Sequence, residues 1–427
     1  MKRFAALLLA ASCIMFGSNS YAEEKELTEV EKLKLRIEAL EDKMRDGEQV
    51  DELGHKLHPI HSFYGLKISG GVTMVGQGVT HLKGANHRGA LSLSADLAIE
   101  SPVGENGTAT LVFDYQRGAG LQNLPAFFLA PNANPTGPNA DLESFNNDQI
   151  HVTQAYYEHN ISEKLVISIG QLDLSGYIDA NEYANNERSQ YLANIFVNNP
   201  TIEFGGSADF VGPGIRATCS PNDFVDVTLG AFEGNGDFSD SFDSPFLMAE
   251  VNIKPNLMGR NGNYRFYYWN RQGRADVAST ANPNNAWLTK AENKGVGISF
   301  DQSINDDLGV WLRAGTQRET VGQFDKTASA GFNLRGRAFN RPDDVVGFGY
   351  GITSMGGEYK DYLKSTNANF EEGSEHYMEL FYNYAVDGAT DVTGFHITPD
   401  IQYIMNPGGD ENASKLTIYG VRLQAFF

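Results

Sequence analysis

The chain is poor in the devices that usually hold a secreted protein together. It has 427 residues, two cysteines and three tryptophans. Cys13 lies in an amino-terminal leader, so removal of that leader leaves only Cys219 and excludes an internal disulfide framework. Beyond the leader no apolar run approaches the ~20 residues of a membrane-crossing helix, which excludes a helical span. Positive charge is scarce: 33 Lys and Arg stand against 54 Asp and Glu, a formal net charge of −21. Loss of Lys2 and Arg3 with the leader deepens this by two, a field that argues against nucleic acid as a partner. No nucleophile elbow, paired-histidine metal motif, phosphate-cradling loop or nucleotide fingerprint stands in a confirming strand or helix context. An enzyme is not expected, and neither a cofactor nor a metal is called for.

What is present begins with a secretory signal peptide over residues 1–22. Lys2 and Arg3 precede an apolar run from Phe4 to Phe16, and Ser20-Tyr21-Ala22 stands before Glu23-Glu24. From 23 to 50, Val30, Leu33, Ile37, Leu40 and Met44 recur at spacings of three and four, which predicts a periplasmic coiled-coil helix. Three heptads are too few for a stable lone helix, so the seam calls for a homo-oligomer or for packing on a neighbour. A linker follows at 51–62. Its His55, His58 and His61 are set apart by Pro59 and lack further ligands, so they read as linker and not as a metal site.

From 63 to 427 apolar and polar residues alternate in short segments, such as Leu91, Leu93, Ala95, Leu97 and Ile99 against Ser92, Ser94 and Asp96. In the closing segment Tyr419, Val421, Leu423, Ala425 and Phe427 share one face. That face would be a hazard at a sheet edge in water and is correctly solvated in lipid. Short turns, such as 101–107, 160–164, 220–223, 305–307 and 387–391, contrast with long polar stretches at 118–149, 173–205, 233–244, 271–293 and 357–375. Short periplasmic turns and long external loops give that asymmetry. The fold expected is therefore all-β, a transmembrane antiparallel β-barrel of about sixteen strands, with fourteen or eighteen left open. Pro342, Asp343 and Asp344 are expected to turn at a rim, and the acidic loop of Asp237, Asp240 and Asp243 to be solvated.

The inward phase of the strands offers Arg265, Trp269, Arg271, Trp311, Arg313, Arg335, Asp400, Gln402 and Arg422 as pore-lining candidates. Aromatic faces stack on sugars, and guanidinium, carboxylate and amide groups exchange hydrogen bonds with hydroxyls. The same residues could equally fill the lumen or stiffen its wall. On the 264–271 strand the phase is open, because Phe266 and Tyr268 are as aromatic as Tyr267 and Trp269.

Four stretches carry a family resemblance: Gly170-Gln171-Leu172-Asp173; Ala193-Asn194-Ile195-Phe196 with Asn199-Pro200; Arg341 to Gly349; and Pro399 to Gly409. Through them the chain resembles the carbohydrate-selective porins of the OprB type. The resemblance implies an outer-membrane channel of sixteen strands that passes sugars or other small solutes by diffusion, in some members narrowed by an inward-folded loop. A coiled coil ahead of the barrel is also similar to siderophore and iron-uptake porins, and a structural barrel with a periplasmic tether is the third reading. An energised receptor would need a folded plug, for which residues 23–61 are too few. Expected partners are small solutes, outer-membrane lipid, further copies of the chain, and the barrel assembly machinery through the strand ending at Phe427.

Overall fold

The computed structural model describes residues 49–50, 56–57, 65–80, 89–118, 120–121, 124–128, 150–204, 211–234, 238, 242, 245–272, 292–386, 389 and 393–427. Sixteen antiparallel strands close into one barrel. In chain order they are β1 (Lys67–Thr80), β2 (Gly89–Val103), β3 (Gly107–Arg117), β4 (His151–Ser162), β5 (Leu165–Asp173), β6 (Val211–Asn222), β7 (Val225–Glu233) and β8 (Pro245–Ile253). The second half runs β9 (Arg260–Arg271), β10 (Asn293–Ser303), β11 (Leu308–Thr316), β12 (Phe324–Gly336), β13 (Arg341–Met355), β14 (Glu375–Ala385), β15 (Gly394–Met405) and β16 (Leu416–Phe426). Closure is between β16 and β1, from Thr417 opposite Thr80 to Phe426 opposite Gly71, and Phe427 adds a reciprocal backbone pair with Gly70 at 3.0 and 3.1 Å. An even strand number lets the last strand meet the first antiparallel, and closure leaves no unpaired edge in lipid.

The period of two decides the faces. Val72, Met74, Ile169, Ile215, Val296, Leu312, Leu380, Ile401, Tyr419 and Val421 are all exposed, whereas Thr73, Ser168, Arg216, Ser299, Arg313, Thr398, Gln402 and Arg422 are buried on the opposite phase. Large apolar side chains left open on most of the strands are stable only against hydrocarbon. On β9 the open phase resolves: Tyr267 and Trp269 point in, while Phe266 and Tyr268 are each 45% exposed outside.

Several expectations change. The stretch at 173–205, read as an external polar loop, turns into the barrel, because Ile178, Ala184, Tyr191, Leu192, Ala193, Ile195, Phe196 and Val197 need burial and find it there. Pro342 to Asp344 open β13 and do not form the rim turn, which is Arg337–Phe339 with Asn340 in the left-handed region at φ 61°. Asp344 instead ties that corner, accepting from Arg341 and from the Ala385 amide at 3.0 Å and from the Tyr382 hydroxyl. Gln49–Val50 pairs with Lys56–Leu57 as a small antiparallel ladder, so the last two residues of the span expected to be helical are extended, as suits β-branched Val50. Cys219 is buried on β6, and the leader cysteine Cys13 lies outside the described residues. The leader, the coiled-coil seam at 23–48, His55, His58 and His61, and Asp237, Asp240 and Asp243 lie outside the described residues.

Candidate functional site

The inward segment leaves β5 at Leu174 and is described to Phe204. Asp173 starts it as a cap, accepting from the Ser175 amide at 2.9 Å and hydroxyl at 2.7 Å across the turn Leu174–Gly176. From there the chain crosses the lumen face of β7 to β16, fixed by hydrogen bonds between its backbone and wall side chains and between its side chains and the wall backbone. The Asp179 amide donates to Glu250 at 2.8 Å, Leu192 and Ala193 donate to the two carboxylate oxygens of Glu379 at 2.6 and 2.8 Å, and the Tyr191 hydroxyl reaches the carbonyls of Phe332 and Phe348 at 2.9 Å. An irregular segment in a barrel has no sheet partner for its amides and carbonyls. Buried polar side chains on the strands supply those partners.

Arg313 is the densest anchor. Its guanidinium donates to the carbonyls of Ala184 and Phe196, to the Asp179 carbonyl and the Asn185 side-chain oxygen at 2.9 Å each, and pairs with the Asp179 carboxylate at 2.8 Å. Asp179 is fully buried, and burial pushes its carboxyl up from 3.8 to about 6 against the pull of Arg313 and of the Asn199 amide, which donates to it at 2.7 Å. Between these bonds the segment is apolar. Tyr191, Ala193, Ile195 and Phe196 on and before the short helix α1 (Asn194–Val197) pack with Trp311, Tyr377, Phe381, Ile404 and Ile418. Ile178, Ile202 and Phe204 pack with Phe232, Phe246, Met248, Tyr267 and Trp269. Wall glycines make the approach possible: a Cβ on Gly309 would lie 2.2 Å from the Tyr183 ring, and one on Gly351 would lie 2.6 Å from Ile195.

The far end of the segment is a tight turn at 185–190. The Asn186 side chain accepts from the amides of Arg188 at 2.9 Å and Ser189 at 3.0 Å, and Gln190 closes back on the amides of Asn185 and Asn186. Arg422 pins the turn through the carbonyls of Glu187 at 2.8 Å and Gln190 at 3.0 Å, and Asn383 through that of Ser189 at 3.1 Å. Arg188 then points across to β2, with its Nε 3.4 Å from Asp96. Burial lowers the affinity of this guanidinium for its proton, and the carboxylates of Asp96, Glu187 and Asp114 more than reverse that, leaving it above the ordinary arginine range.

Most sequence candidates lie beneath this segment. Trp269, Trp311, Arg313, Asp400, Gln402 and Arg422 are buried. Arg265 pairs with Asp301 at 2.7 Å and Arg271 with Glu203 of the segment at 2.9 Å, while Arg335 is half-buried on the Asn333 side of β12. The opposite wall, β2 to β6, carries polar groups that sequence reasoning did not single out: Asp96, Asp114, Gln116, Glu158, Ser168 and Arg216. Arg216 pairs with Glu158 at 2.7 Å, donates to Ser168 at 3.0 Å and lies 4.5 Å from the ring centre of Tyr177. The signal that could have found the inward segment is its run of Tyr191, Leu192, Ala193, Ile195, Phe196 and Val197 inside a stretch otherwise polar.

Comparison with solved structures gives the same architecture. The high-pH structure of Pseudomonas putida OprB superposes with a TM-score of 0.65 at 15% identity, covering 85% of this chain and 94% of that one. The low-pH structure of the same protein gives 0.51 at 13% identity, covering 95% and 100%. At these identities the likeness concerns the fold. No curated protein matches the chain. A family model described as carbohydrate-selective porin, OprB family, matches residues 83–427, most of the chain and the whole barrel beyond β1. On that match, and with the closed sixteen-strand barrel behind it, the chain belongs to the carbohydrate-selective OprB family of outer-membrane porins.

Proposed function

We propose that the barrel is a passive diffusion channel for small neutral polyhydroxy solutes, whose path runs between the inward segment and the inner face of β2 to β6. The observation that carries this reading is the one-sided packing. Apolar clusters and buried anchors join the segment to β7 through β16, while β2 to β6 keep mixed donors and acceptors, with Glu158 at 30% and Asp96 at 23% side-chain exposure facing Arg188 of the segment at 27%. Carboxylates and guanidinium groups in alternation exchange hydrogen bonds with hydroxyls without the single-sign field that selects an ion. In this reading Trp311, Arg313 and Arg422 build the constriction by holding the segment, with Gln402 and Asp400 hydrogen-bonded to each other behind them and Gln402 to Tyr377. Arg265, Trp269, Arg271 and Arg335 belong to the same supporting wall.

Liposome swelling tests it, with neutral mono- and disaccharides set against amino acids and a ferric chelate of similar size. Faster entry of sugars at equal size is the expected result. Chelate entering fastest would move the protein to iron uptake, and silent insertion of folded barrel would leave only a structural role. The reading also places residues 23–50 in the periplasm as the seam of a homo-oligomer, and the strand ending at Phe427 as the part offered to the barrel assembly machinery.

A further inference from the structure

The turn at 185–190 is built differently from the rest of the inward segment. Its flanks sit in apolar cores, whereas Glu187, Arg188, Ser189 and Gln190 are held by hydrogen bonds to the Asn186 side-chain oxygen and from Asn383 and Arg422. Those bonds fix the backbone of the turn and leave the Arg188 side chain free to choose its partner. Among the described residues its ion pair with the wall is Nε to Asp96 at 3.4 Å, with both side chains about a quarter exposed. Asp114 stands behind, already bonded by Gln116 at 2.8 Å and Ser94 at 3.4 Å. A single, partly hydrated ion pair is weak and is screened by salt, in contrast to the buried and multiply bonded Arg313.

Resting on the assignment of β2 to β6 as the permeation wall, we propose that Arg188 is the selectivity residue of this channel. The rigid turn presents it as a bolt on Asp96 that sets the width of the passage, and its charge offsets Asp96 and Asp114 at the narrowest point. Both consequences come from one pair, so the two partners give matching effects on width and opposite effects on charge. Releasing either side of the pair widens the opening. Removing the guanidinium leaves both carboxylates uncompensated, and removing the Asp96 carboxylate leaves the guanidinium facing Asp114 with less negative charge than in the wild type.

The test uses the full-length mature protein in planar bilayers, with Arg188→Gln and Asp96→Asn measured separately under a potassium chloride gradient. Single-channel conductance rises above wild type in both variants. The reversal potential shifts toward cation preference in Arg188→Gln and toward anion preference in Asp96→Asn. Asp96→Asn leaves every residue of the segment in place, so it carries the test if Arg188→Gln fails to migrate as a heat-modifiable barrel. Unchanged conductance in both, or shifts of the same sign, would overturn the proposal while wild-type conductance stood. Absence of conductance in the wild type would instead overturn the channel reading itself.

Discussion

Arg313→Met separates the barrel from the segment it holds. The substitution keeps a long apolar side chain on β11 and removes the ion pair with Asp179 and the hydrogen bonds to Asp179, Ala184, Asn185 and Phe196. Every lost bond runs between the wall and the inward segment, and none belongs to a strand ladder. Breaking a fully buried pair by removing one partner costs roughly 3–5 kcal/mol, because the remaining charge stays desolvated. Charged to the docking of the segment alone, that raises its undocked population by roughly two to four powers of ten.

The segment reports on itself, because Arg188 is the sole Lys or Arg between 174 and 204. Trypsin that reaches the undocked segment cuts after Arg188 and leaves two fragments within a barrel that still migrates as folded. Cleavage of a transiently opened site follows the open population when reclosing is fast, so the variant is cut at least a hundredfold faster than wild type on this estimate. Arg313→Lys, which keeps the charge and loses the fork of donors, falls between the two. A folded Arg313→Met barrel that resists trypsin as wild type does would refute the anchoring argument, since the apolar clusters alone would then suffice.

Two further outcomes are measurable, one from the docked segment and one from the amino-terminal heptads. Asp179 holds its proton up to about 6 when docked and to 3.8 ordinarily, so the docked state binds more protons between those values and this group's contribution to docking falls as pH rises through that window; hydrogen exchange of the 178–200 amides in wild type and Asp179→Asn between pH 4 and 7 checks this, and an equal slope in both removes Asp179 as its source. Deleting residues 23–50 turns an oligomer into monomers on native electrophoresis while the barrel stays heat-modifiable, and an unchanged oligomer returns that segment to a tether.

The barrel was readable in the sequence because its rule is local. Tyr419, Val421, Leu423 and Ala425 alternate with Ile418, Gly420, Arg422 and Gln424, and lipid on one side with polar lumen on the other leaves one consistent assignment. The same rule fails on β9, where aromatics occupy both phases. There the answer depends on what covers the inner face, and Trp269 is buried by Phe246 and the inward segment, 60 or more residues away. The position of the passage was hidden for the same reason. Alternation shows that Arg313 and Arg422 point inward, and it says nothing of whether water or protein meets them there.

A segment crossing the lumen must bury its backbone, and this chain does so with charged residues of the wall. Glu250 and Glu379 accept amides, while Arg313 and Arg422 donate to carbonyls. Charged residues on an inner strand face can therefore be signs of a covered wall as readily as of a wet one. The two are distinguished by what completes the charge. Arg313 and Arg422 end on backbone carbonyls of a segment more than a hundred residues distant, whereas Arg216 and Glu158 hydrogen-bond each other and Ser168 within neighbouring strands, and of these only Arg216 also lies against the segment, over the Tyr177 ring. In the proposed reading, solute passes where charges are satisfied mainly within the wall, and the selective step then lies on β2 to β6 and on the arginine of the segment that reaches them.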